Sequence, residues 1–159
     1  GKYELVDGRL VHMSPTGARP GQVAVVIAFH LMLYQKETGH GIAFGDNVGF
    51  IVNLPRRRSF SPDAAYAYGV AIDTDDFVAG APIFAVEVRS KGDYGRAMDA
   101  EYAAKRADYF AAGTRIVWDV SPRAHHREIS FRFTRYPHGV PRGRYRRCGA
   151  CASWLARRG

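Results

Sequence analysis

The sequence predicts one α/β (α+β) domain, a mixed β-sheet flanked by two main helices, with an N-terminal β-hairpin. Three observations point there. Residues 22–37 and 93–112 carry apolar side chains at helical spacing. The segments around them are short apolar or alternating runs punctuated by Gly and Pro, the pattern of strands. Asp7-Gly8 divides residues 3–13 into two short runs, and a glycine there accepts the positive φ of a tight turn. At 159 residues, 47% hydrophobic and 13% aromatic, the chain is large enough to bury a core.

Taken in order, residues 3–13 read as a hairpin covering one edge of the core, with Glu4 on its first strand. Residues 14–21 are a Pro/Gly loop. The helix over 22–37 is apolar nearly all round, which predicts that it packs in the interior, and Gly39 and Gly41 stop it. His30 on this helix reads as a core or rim histidine. Residues 41–54 and 60–68 read as two strands joined by Pro55-Arg56-Arg57-Arg58-Ser59. Three arginines at a hairpin tip form either a solvated turn or a clamp for phosphate. Asp73, Asp75 and Asp76 lie in a segment without the glycine and terminal glutamate of a calcium loop, so 72–80 reads as a polar connector.

Residues 82–90 form the central strand, with Ile83, Ala85, Glu87 and Arg89 on one side and Phe84, Val86 and Val88 on the other. On the second helix Met98, Tyr102, Lys105 and Tyr109 make one continuous stripe. Lys105 therefore faces the interior, unless it pairs with Glu101 and snorkels along the surface. Residues 114–120 are the next strand, and 128–134 can add an edge strand.

The chemistry on offer is two carboxylates and a lysine. Glu87 interrupts a run of Ile, Phe, Ala and Val that reads as buried on both faces. A carboxylate there needs a cation or a cleft, because desolvating it alone costs several kcal/mol. Asp63 follows a proline and opens a short strand, 64–68, that can pair beside the Glu87 strand. Two acids on neighbouring strands suit a hard divalent ion with oxygen ligands, typically Mg²⁺.

The order Pro62-Asp63, then Glu87 in an apolar strand, then a lysine, resembles the PD-(D/E)XK nuclease superfamily of restriction-endonuclease-like folds. More narrowly, YELVDGRL from Tyr3, MSPTG from Met13, SPDAAY, EVRS and KRADYFAAGTRIVWDVSP resemble the bacterial Uma family, over about residues 2 to 122. The resemblance implies a core of order αβββαβ and a Mg²⁺- or Mn²⁺-dependent DNA endonuclease. Asp63 and Glu87 would hold the metal, with Glu4 as an additional acid. Lys105 matches the family's lysine, which has moved onto the helix, while Arg89 stands in the superfamily's ordinary lysine place and can share its work. Arg56, Arg57 and Arg58 are the candidate nucleic-acid contacts. Gln22 stands about where the family usually has a histidine, a departure that puts in question any role such a histidine plays.

Net charge is +8, but it is unevenly placed. Residues 1–120 carry 13 Lys and Arg against 14 Asp and Glu, a net of −1, whereas 121–159 carry 10 Arg and one Glu, a net of +9. The boundary read from composition is a domain over 1–134 and an arginine-rich tail over 135–159, without the hydrophobic ending with which the resembling family continues. That tail reads as a truncated or altered ending. Cys148 and Cys151, with His138, make at best half a zinc site. No secretory signal opens the sequence and no apolar run reaches the roughly 20 residues of a membrane span. The prediction is a soluble, cytoplasmic protein acting on DNA. Cutting both strands of a duplex is easiest with two sites related by a two-fold axis, which makes a homodimer an open option. The alternatives to a nuclease are a nucleic-acid-binding module without catalysis and a degenerate copy of the fold.

Overall fold

Asp7 and Gly8, both at positive φ (48° and 72°), turn β1 (Lys2–Val6) back onto β2 (Arg9–Met13) as an antiparallel pair. This is the structure of a computed structural model, which describes residues 2–122 and 130–135. The expectations for residues 136–159, the cysteine pair and His138 among them, lie outside the described residues.

Helix α1 (Ala18–Thr38) begins four residues before the predicted start, inside the expected loop. Pro20 does not prevent this, because a first-turn residue has no intrahelical acceptor for its N–H and loses nothing by lacking one. Gly39, at φ 67°, ends the helix and its N–H bonds Gln35 O. The expectation that α1 packs inside is corrected. Ala24 and Leu31 are buried against the sheet, whereas Val25, Val26, Phe29, Met32 and Leu33 are exposed among the described residues. His30 is exposed as well.

The predicted strand over 41–54 is two short strands, β3 (Ile42–Phe44) and β4 (Phe50–Ile51), because Asn47 at φ 68° turns the chain between them. β5 (Ser59–Phe60) and β6 (Ala64–Ala67) follow, then β7 (Val78–Ala79), β8 (Phe84–Val88), α2 (Arg96–Ala111), β9 (Ile116–Ser121) and β10 (Ser130–Arg135). The main sheet runs β10-β9-β8-β6-β3, parallel only between β8 and β9, with α2 as the crossover. A smaller sheet, β5-β4-β7, packs beside it. The mixed α+β architecture, the two helices and the N-terminal hairpin are as predicted.

Alternation along β6, β8 and β9 divides the core into two layers. Ala64, Val86, Val88 and Trp118 pack on α1, and Ala65, Ala85 and Val117 pack with Phe60 and Tyr109 on the other face. Glu87 shares the side of Ala85, so it points under α2. Tyr109 lies stacked on Phe60, ring centroids 3.9 Å apart, and both are essentially inaccessible. That stack closes the core beneath the charged residues.

Candidate active site

β6 lies antiparallel to β8 with Ala64 opposite Val86, which brings Asp63 beside the end of β8. Asp63 N–H bonds Val86 O at 2.9 Å, and its Oδ2 accepts Val88 N–H at 2.6 Å. The carboxylate is thus aimed by the backbone of the strand that carries Glu87. The geometry follows from Pro62, fully buried, which has no N–H to continue the ladder and delivers Asp63 at the strand's edge.

Glu87 is 5% exposed. Its Oε2 accepts Lys105 Nζ at 2.9 Å and its Oε1 accepts Tyr109 OH at 2.6 Å. Burial, with the nearby charges of Asp63 and Glu4, pushes the Glu87 carboxyl up to about 7, against the opposing pull of Lys105. Tyr109 is raised well above its ordinary value by burial and the same carboxylates, so its phenol stays a donor. Lys105 Nζ also meets Glu4 Oε1 at 2.8 Å. Burial disfavours its ammonium, but Glu87 and Glu4 outweigh burial and hold its pKa above the ordinary value.

Glu4 is brought here by the hairpin. β1 runs against residues 56–59, through Asp7 N–H to Arg56 O, Arg58 N–H to Leu5 O and Leu5 N–H to Ser59 Oγ. Glu4 points inward, 3% exposed, where Oε1 also accepts Ser61 N–H at 3.0 Å and Oε2 accepts Arg57 Nη1 at 2.5 Å. Desolvation raises its pKa, but Lys105 and Arg57 prevail and hold it below 4.5. Both oxygens of Glu4 are therefore engaged with this chain's own donors.

The expectation that Arg56, Arg57 and Arg58 together form a solvated turn or a phosphate clamp is corrected at Arg57. The isolated bridge between Val6 and Arg57 turns that side chain into the core, 5% exposed, with Nε on Asp108 at 2.9 Å. A guanidinium held by two buried carboxylates and lying over the Phe60 ring has no face for a phosphate. Arg56 and Arg58 remain exposed; Arg58 bonds Asn53 and Arg56 lies 3.8 Å from Asp7.

Arg89 shares the strand face of Glu87 but is committed elsewhere. It forks onto Asp119 through Nε at 2.7 Å and Nη2 at 2.8 Å, reaches Asp99 at 2.6 Å and lies over the Tyr102 ring. Arg106 joins Asp119 from α2 at 2.7 Å. This cluster ties α2 to β9.

Two residues that the sequence reading missed stand beside Asp63. Lys2 Nζ lies 2.5 Å from Asp46 Oδ1 and 3.3 Å from Asp63 Oδ1. Burial works against its charge, but Asp63, Asp46 and Glu87 together raise its pKa. Lys2 had a signal, since it precedes Glu4 by two residues and so shares its strand face. Asp46 had none, because it sits in the turn between β3 and β4. Among the described residues no group of three or more His, Cys, Asp or Glu is arranged to hold a metal by itself.

Comparison with known proteins points to a family and to a fold. The model of the Uma2 family, described as "Putative restriction endonuclease", matches residues 1–135. A crystal structure from Anabaena variabilis, described as a "putative nuclease", superimposes with a TM-score of 0.64 at 14% identity, covering 86% of this chain and 73% of that one. At that identity the likeness is one of fold. No curated protein matches.

Proposed function

The chain belongs to the Uma2 family, and from that premise we propose a divalent-metal-dependent DNA endonuclease of the PD-(D/E)XK type, hydrolysing phosphodiester bonds at Asp63 and Glu87. The observation that carries this reading is the convergence of Asp63, Glu87 and Lys105, from three separate elements, at one end of β8. Buried acids facing a buried lysine are costly to maintain for stability alone.

The donors fit a hard divalent ion. They are carboxylate oxygens. Glu87 gives one lone pair of each oxygen to Lys105 and Tyr109 and keeps the other, and the ammonium of Lys2 already lies against Asp63 as a cation drawn in by the acids around it. Asp63 and Glu87 would hold Mg²⁺ or Mn²⁺. Such an ion, when bound, polarises a phosphate and lowers the pKa of a coordinated water.

The remaining roles fall to the chain. Lys105, fixed between Glu87 and Glu4, presents a positive charge where negative charge grows on the phosphate. Glu4 serves as the counter-ion that positions Lys105 and Arg57 rather than as a metal ligand, since Ser61 and Lys105 fill one of its oxygens and the Arg57 guanidinium is paired with the other. Arg89 is assigned to the α2–β9 junction, and Arg56 and Arg58 to phosphate contacts along the approach to Asp63. Two copies related by a two-fold axis would present two such sites to the two strands.

The test is nicking of supercoiled plasmid with Mg²⁺ or Mn²⁺ by the wild type and by Asp63→Ala and Glu87→Ala, each checked for folding by circular dichroism. Cleavage by the wild type alone, abolished by EDTA, supports the reading. Equal inertness of three folded proteins, with DNA affinity that survives EDTA and weakens with salt, would favour a binding module instead.

A further inference from the structure

The outer face of α1 is the feature that neither the core nor the site uses. Val25 is 64% exposed, Phe29 56% and Met32 60%, and with Val26 and Leu33 they form one stripe at spacings of three, four and seven residues. No charged residue falls between Arg19 and Lys36 on this helix. An apolar face of this kind marks an interaction surface. From its charges we infer that its partner is a second copy of this chain, packed antiparallel about a two-fold axis at the level of Phe29.

The charges at the two ends select that occupant. Arg19 and Glu37, both exposed, lie five turns apart at about 3.6 residues per turn, hence along one line of the helix. Each sits at the wrong end of its own helix, a cation near the positive N-terminus and an anion near the negative C-terminus. An antiparallel copy reverses both relations. Arg19 of one protomer then lies near Glu37 and the helix C-terminus of the other, while Val25 meets Leu33, Val26 meets Met32 and Phe29 meets its own copy. Lys36 comes opposite Gln22, whose amide oxygen accepts a hydrogen bond from its ammonium. A parallel pair would set Arg19 against Arg19 and keep the mismatch.

The inference rests on the pairing of two copies in the proposed function, not on cleavage, so an inert protein that still dimerises leaves it standing. The experiment is sedimentation equilibrium of the full chain. The wild type should be a dimer, and Phe29→Glu a monomer with unchanged circular dichroism, because that side chain carries no part of the core. Arg19→Glu and Glu37→Arg should each weaken the dimer on the order of tenfold, two ion pairs changing at once, and the double swap should restore it. A monomeric wild type, or a dimer that persists in Phe29→Glu, overturns the surface. Failure of the double swap to restore the dimer overturns the antiparallel arrangement.

Discussion

Arg57 donates to Glu4 and Asp108 at once, and all three are buried. Arg57→Ala strips the buried cation shared by two carboxylates, leaving Glu4 to Lys105 and Asp108 to the more distant Arg56, so it should cost about 3 kcal/mol in denaturant unfolding. Arg58→Ala, at an exposed neighbour, should stay within about 0.5 kcal/mol. Glu4 sets a pH dependence of definite sign. Its folded pKa lies below 4.5 because Lys105 and Arg57 overcome desolvation. The ionised form therefore favours the fold, a contribution complete above 4.5 and lost as pH falls through the depressed value. Glu4→Gln should be less stable than the wild type at neutral pH, and the difference should shrink on acidification below about pH 4.5, as read from denaturation midpoints across pH. A difference that does not vary with pH would mean that Glu4 acts by packing rather than charge.

Two glycines at the end of α1 differ in what a side chain would meet. Gly39 and Gly41 have nearly the same φ, 67° and 71°, yet only at Gly41 would a Cβ press on the Tyr66 ring, at 2.5 Å, and on Ala67 O, at 2.9 Å. Gly39→Ala should cost about 1–2 kcal/mol, the backbone strain alone. Gly41→Ala should cost clearly more, because Tyr66 is buried and closes the α1 layer of the core. Thermal unfolding of the two variants compares them directly. The wall of the site belongs to this scale too. The Asp63–Val88 bond holds only in the observed β6–β8 register, and a slip of one residue would send Glu87 to the α1 face.

For the whole molecule the distinguishing feature is a separation of charge. The part through residue 120 is almost neutral, while the tail is strongly basic. If Arg56 and Arg58 contact phosphates, replacing either with Ala should lower the slope of log affinity against log salt by about one, whereas the loss of metal should leave the slope nearly unchanged. A fluorescence titration of labelled duplex over a salt series reads both. Replacement of Asp119 with Asn is a contrasting case. It loosens a cluster that ties α2 to β9 through Arg89 and Arg106, so thermal stability should fall while the salt slope stays put.

Local pattern sufficed for much of this. The hairpin at Asp7-Gly8, the alternation of β8, the Met98 to Tyr109 stripe and the pairing of the Asp63 strand with the Glu87 strand were all legible, because backbone geometry imposes periods of 2 and 3.6 on whatever faces the core. The exposed side of α1 was not legible, since an apolar helix looks the same whether its outer face is covered or bare. Nor was the inward turn of Arg57, which depends on β1 lying against residues 56–59. The sequence by itself determined the hairpin, the two helices and the central strands, and the acids and lysine available to the site; it did not show the break between β3 and β4 or the short β7 in the segment read as a connector. Only the tertiary structure decided which charges meet: Glu4 with Lys105 and Arg57, Lys2 with Asp46 and Asp63, Arg89 with Asp119. Those partners are remote in the chain, and strand order and register bring them together, which no local spacing encodes.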